Sequence, residues 1–165
     1  MQYKSGGYAP EGVGLLISIL LRYPEVGSIH YWQEKHALRF TFMVRNIETS
    51  DLENKLVPAL EVFHTFEGGS MQICQVECRK EEQVCILTIT RDVESMTQSE
   101  VGLIVDMVKM QFAQNLVCDE SDLPEDELLF QEELIGHMLA TIRTNDMDKN
   151  VVAVREEGRV IVFKN

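Results

Sequence analysis

Cys74, Cys78 and Cys85 fall where two adjoining strands would carry all three on one face, and thiolates grouped in this way can bind zinc or iron. The spacing argues against a metal centre. Structural thiolate sites usually pair cysteines two residues apart in a turn, whereas here three residues separate Cys74 from Cys78 along a strand, with no histidine close in sequence. Free cysteine is among the most buried residue types, so the trio reads as reduced, metal-free core. A metal-binding or thiol-dependent enzyme centred on this face is the alternative.

Histidine supplies a second set, His30, His36, His64 and His137, with Glu133 one helical turn before His137. The Glu133–His137 spacing does not match the carboxylate–histidine pattern of di-iron bundles, and solvated side chains also meet at that interval. Glycines at Gly6-Gly7 and Gly12-Val13-Gly14 precede or open a helix, yet match neither phosphate-loop nor dinucleotide fingerprints. The acidic run Asp119, Glu120, Asp122, Glu125, Asp126 and Glu127 lacks the alternating oxygens and central glycine of a calcium loop. It suits a solvated break before a helix N-terminus. No catalytic residue, metal site or cofactor is assigned.

The face of the first hairpin that carries His30, Trp32, Arg39 and Thr41 points away from the expected core. Tryptophan and arginine are enriched where proteins bind one another, so His30, Trp32 and Arg39 are candidate partner-binding residues unless another element covers them.

The elements that would position these residues alternate between helical and two-residue hydrophobic periods. A first helix opens at Pro10-Glu11 and ends at Pro24, apolar on most sides and therefore deeply buried. A hairpin follows over Ser28 to Val44. With Glu34-Lys35 as its loop, Tyr31 faces Leu38 and Ile29 faces Phe40, and the large hydrophobes share one face. Ser50 and Glu53 have capping-box spacing at the start of a second helix through Leu52, Leu56, Leu60 and Phe63, with Pro58 expected to kink it or break its first turn and Gly68-Gly69 to stop it.

In the second hairpin Glu81-Glu82 as the loop would set Cys78 against Cys85, Val76 against Leu87 and Cys74 against Ile89. Thr97 and Glu100 form a capping box for a third helix that runs to about Val117 with Val101, Ile104, Val105, Val108 and Phe112 inward. Pro124 starts a fourth helix, with Leu128, Leu134, Ile135, Met138 and Ile142 along one side. The third hairpin, Val151 to Val154 and Arg159 to Phe163, is apolar on both faces. Val152, Val154, Ile161 and Phe163 occupy one face, and Val151, Ala153, Val160 and Val162 the other.

This order predicts a single α+β domain over residues 1–165, interrupted by the acidic break near 119–126. The architecture is a two-layer α/β sandwich of repeated helix-plus-hairpin units with a mainly antiparallel sheet. The first four strands take the order 1-2-4-3, with helices on one face. A ferredoxin-like plan starting at the second strand, with the fourth helix inserted, competes for the same central strand edge.

Bulk properties narrow the function classes. A chain of 165 residues with 45% hydrophobic and 25% charged residues can bury a core without staples. Its formal net charge of −12 opposes binding to nucleic acid. The apolar stretch Val13 to Leu21 is about nine residues where a spanning helix needs about 20, and its flanks do not suit a signal peptide. A cytoplasmic protein with no membrane contact is expected. The reading that follows is a non-catalytic protein-interaction or regulatory and assembly module, acting through sheet-surface contacts and self-association as a homodimer or larger. Val160 and Val162 join His30, Trp32 and Arg39 as its candidate contacts, because a hairpin apolar on both faces needs two covering layers.

Overall fold

A computed structural model describes residues 11–45, 51–144 and 150–164. The expectations placed on Gly6-Gly7, Pro10 and Ser50 fall outside these residues. The elements are α1 (Glu11–Arg22), β1 (Ser28–Trp32), β2 (Ala37–Arg45), α2 (Leu52–Glu67), β3 (Cys74–Glu81), β4 (Val84–Asp92), α3 (Gln98–Phe112), α4 (Glu125–Thr144), β5 (Val151–Glu156) and β6 (Arg159–Lys164). A short 3-10 turn over Val93–Ser95 joins β4 to α3.

All six strands form one antiparallel sheet in the order β3-β4-β2-β1-β5-β6. The order of the first four strands is the one their hydrophobic pattern predicts. The ferredoxin-like alternative would seat β5 directly against β2, but β1 occupies that edge and carries the third hairpin on its far side. The first hairpin has the expected register, Tyr31 opposite Leu38 and Ile29 opposite Phe40.

One face of the sheet is covered by helices. Ile29, Tyr31, Leu38, Phe40, Phe42, Val44, Leu87 and Ile89 project from it and are fully buried. Leu15, Leu16, Ile19 and Leu20 of α1 have no exposed surface, as an all-round apolar helix requires. This helix lies between the sheet and α4, with α4 packing chiefly on α1 rather than on strands. The stripe Val101, Ile104, Val105, Val108 and Phe112 of α3 is buried as its spacing predicts.

Four local expectations are corrected. The second hairpin turns at Glu82-Gln83, so Cys78 lies opposite Leu87, Val76 opposite Ile89 and Cys74 opposite Arg91. This slips the pairing by two residues, which keeps every side chain on its expected face. α3 stops at Phe112 because Ala113 has a positive φ of 49°, and Leu116-Val117 then lie along the edge of β2 beyond the reach of β1. The N–H of Val117 donates to the Met43 carbonyl at 2.8 Å. α2 begins after Asp51 rather than Ser50, and Asp51 makes no side-chain cap; the helix holds an exposed Pro58 and ends, as expected, at Gly68 in the left-handed conformation.

The fourth correction concerns the third hairpin. Its Val151, Ala153 and Val160 are buried beneath α1, and Val162 packs against the same core. The covering layer assigned to a partner is supplied by the chain's own first helix. Val160 is therefore interior and Val162 partly so, and neither lies on the face of Trp32. The opposite face of the hairpin is the one left open, with Val152, Val154 and Ile161 half-buried and Phe163 57% exposed.

Candidate functional site

Two arrangements stand out, and the sheet register builds the first. On the face away from the helices, one row crosses the whole sheet through Gln75, Thr90, Arg39, His30, Val152 and Phe163, each opposite the next. The neighbouring row ends in Val154 and Ile161. Sequence reasoning placed His30, Trp32 and Arg39 together, and the structure does bring them together. It also adds an apolar patch of Val152, Val154, Ile161 and Phe163 beside them.

Trp32 lies half-buried at the end of β1. The Arg39 guanidinium carbon is 4.0 Å from its ring centroid and the Lys35 ammonium 4.9 Å, both within range of a cation–π attraction. Its indole N–H donates to Nδ1 of His30 at 2.6 Å, which identifies that nitrogen as the unprotonated one. Burial, reinforced by the Arg39 charge, pushes the His30 pKa below its ordinary value. Arg39 is held in turn by Thr90, whose hydroxyl oxygen accepts from Nε at 3.2 Å. Surface tryptophan is thus fixed in one orientation by its own hairpin rather than by a covering helix.

The second arrangement is a buried ionic cluster where β4 meets α2 and α3. Arg91 follows Cys85, Leu87 and Ile89 on the inward-facing positions of β4 and is fully buried. Its Nε donates to Glu100 Oε2 at 2.5 Å and its Nη2 to Glu100 Oε1 at 2.9 Å, forming a two-point clamp. Nη1 donates to the Ile73 carbonyl at 2.7 Å and to Asp92, and Nη2 also reaches the Ser95 hydroxyl at 2.9 Å. His64, buried on α2, donates from Nε2 to Glu100 at 2.6 Å. Asp92 accepts from the N–H groups of Gln72, Ile73 and Ser95 and from the Ser95 hydroxyl at 2.7 Å. Burial alone would raise the Asp92 pKa. The hydrogen bonds from Ile73 and Ser95, with the Arg91 charge, outweigh that effect and hold it below the usual aspartate range.

This cluster borders an open cleft of about 560 Å³ lined by His64, Ser70, Gln72, Ser95, Thr97 and Arg143. A serine and a histidine in the cleft, with the carboxylates of the cluster behind them, invite a catalytic reading, but their pairing opposes it. The Ser95 hydroxyl donates to Asp92 and accepts from Arg91, while His64 Nε2 lies 2.6 Å from Glu100 and 3.0 Å from Arg91 Nη2. The base therefore does not face the hydroxyl, as activation of a nucleophile requires. What the network does is tie the start of β3, the end of β4, α2 and α3 into one unit.

Sequence reasoning missed this clasp. Glu100 read as the reciprocal half of a capping box. Only one half exists: Thr97 accepts from the Glu100 N–H at 3.2 Å, while the Glu100 side chain turns inward. Two signals were present, since Arg91 stands at an inward-facing position of β4 and His64 continues the four-residue interval of Leu52, Leu56 and Leu60.

The cysteine face is also revised. Cys85 is buried, Cys74 half-buried and Cys78 exposed, because β3 is an edge strand only partly covered by α2. Cys78 and Cys85 are joined as a disulfide with their Cα atoms 6.3 Å apart, and Cys74 and Cys118 are free. The expectation of a fully reduced, buried trio is thereby corrected. Burial pushes the Cys74 thiol above its ordinary value, away from a reactive thiolate. Glu133 and His137 are both exposed. Among the described residues no group of three or more His, Cys, Asp and Glu side chains is arranged to hold a metal ion. In the acidic break, Asp119 lies 3.8 Å from Arg155, whose guanidinium donates to the Leu20, Tyr23 and Val26 carbonyls and so caps the end of α1.

Among the described residues no helix is long and apolar enough to cross a membrane. Comparisons of the chain with protein-family models, with curated proteins and with solved structures found no significant match.

Proposed function

We propose that this chain is a non-catalytic protein-interaction module, regulatory or assembling in role, that works through the open face of its sheet and through self-association. One observation carries the reading: Trp32, with Arg39 and Lys35 both over its ring, shares the open face with the patch of Val152, Val154, Ile161 and Phe163, and His30 stands between them opposite Val152. An aromatic anchor with fixed orientation, an apolar floor and flanking cations form the makings of an interface hot spot. The partner that fits is a protein surface with an apolar centre and an acidic rim, which would meet Lys35, Arg39 and Arg159. Nucleic acid does not fit a chain of formal net charge −12.

The alternative centred on Cys74, Cys78 and Cys85 has less support, since the three sulfurs are not grouped as ligands and two are bonded to each other. A cytoplasmic setting belongs to the proposed reading, and the state of those sulfurs tests it, because structural disulfides are rare in that compartment.

The test of the module is site-specific photocrosslinking in the native cell. A photoreactive residue at Val154 or Ile161 should capture a discrete protein, and the Trp32→Ala background should lose it. The same residue placed at exposed Glu133 on α4 should capture none of it. Equal capture from both positions, or capture indifferent to Trp32, overturns the reading.

A further inference from the structure

The two outer edges of the sheet differ in a way that identifies what one of them meets. β3 carries Glu77, Arg79, Lys80 and Glu81, the charges with which natural sheets guard an exposed edge. β6 runs Val160-Ile161-Val162-Phe163 between Arg159 and Lys164, without an acid, and stands last in the strand order. Among the described residues no strand pairs with its outer side, and an edge whose four central residues are apolar is a template for another strand.

We propose that the outer edge of β6 pairs antiparallel with β6 of a second copy about a two-fold axis at Val162, joining two sheets into one. This inference rests on the self-association part of the reading above and adds its surface and register.

The register follows from the hairpin. Glu157 and Gly158 have φ of 51° and 76°, as in a two-residue type I′ turn, with Glu156 and Arg159 as the closing pair. That closing pair exchanges hydrogen bonds within the hairpin. Alternation along the ladder makes Val154–Ile161 and Val152–Phe163 hydrogen-bonded pairs too, so Val160, Val162 and Lys164 turn their N–H and C=O groups outward. A two-fold axis perpendicular to the sheet matches like faces and can centre either on an outward residue or on Ile161 or Phe163 between them. Within β6, Val162 is the centre at which all three outward residues pair. Val162 then opposes Val162 of the second copy, Val160 opposes Lys164, and Ile161 opposes Phe163.

Side chains and charge agree with this register. Phe163, 57% exposed in one chain, gains Ile161 of the second copy as its neighbour on the open face. The two apolar patches become one continuous surface. Two chains of net charge −12 repel wherever acids face acids, and β6 offers a strand that contains none.

The experiment uses the whole chain with Cys74 and Cys118 replaced by serine. Val162→Cys should yield a disulfide-linked dimer on mild oxidation, since cross-strand Cα atoms of a hydrogen-bonded pair lie about 5.5 Å apart, within reach of a disulfide. Glu77→Cys on the opposite edge should not. Val162→Pro removes the outward N–H at the axis without removing a bond to β5, and should weaken dimerisation at least tenfold with the circular dichroism spectrum unchanged. If proline perturbs the fold, Phe163→Lys supplies the same test with the backbone intact. A dimer that fails to cross-link through Val162 and ignores both substitutions overturns the β6 register while leaving self-association standing. A monomer across the full dilution series overturns both.

Discussion

Replacing Glu100 by glutamine tests whether the buried cluster is a clasp. The carboxylate is fully buried and receives Arg91 Nε at 2.5 Å, Arg91 Nη2 at 2.9 Å and His64 Nε2 at 2.6 Å. An amide of the same shape keeps one acceptor, turns an NH2 toward donors and leaves a buried guanidinium short of one opposing charge. Breaking a buried pair from one side costs about 3–5 kcal/mol, and the remaining Asp92 contact puts the expected loss near the lower end, about 3 kcal/mol. For a chain of this length that corresponds to a fall in Tm of roughly 6–12 °C. Urea unfolding followed by far-ultraviolet circular dichroism and by Trp32 fluorescence measures it, and Trp32 is the only tryptophan. A variant within about 1 kcal/mol of the parent would refute the clasp.

Further outcomes follow from the shifted groups and the sulfurs. Because the Asp92 pKa is lowered in the fold, its contribution is present above the ordinary aspartate value and lost as pH falls through the folded value; Asp92→Asn should flatten that acid limb in denaturant melts. The lowered His30 pKa means that His30 charges, and Trp32 emission changes, at a pH below the ordinary histidine value; Arg39→Gln should move that midpoint upward and His30→Gln should abolish it. Under native conditions without reductant, alkylation should modify Cys118 and, more slowly, Cys74, leaving Cys78 and Cys85 linked in peptide mapping. Four alkylated cysteines in protein trapped directly from cells would show that this bond is absent there and would support a cytoplasmic setting.

The fold was legible because its signals are local and periodic. Alternation in β1 and β2 allows one register that buries Ile29, Tyr31, Leu38 and Phe40 together, and a right-handed crossover through α2 then leaves little freedom for β3 and β4. The all-round apolar α1 announced its own burial in the same way. The candidate surface was half legible, since the hairpin that carries Trp32 fixes His30 and Arg39 on the same face by parity alone.

What only the tertiary structure decided is which of two equivalent faces is covered and which distant residues meet. Periodicity shows that both faces of the third hairpin are apolar. Only the packing of α1 on β5 and β6 makes Val160 interior and leaves Phe163 exposed. The slip of two residues in the second hairpin preserves parity, so no hydrophobic pattern could distinguish Cys78 opposite Cys85 from Cys78 opposite Leu87. Arg91, Glu100 and His64 lie on three separate elements. Each was individually compatible with a solvated or capping role, and only their convergence gives the buried guanidinium the carboxylate that makes its burial tolerable.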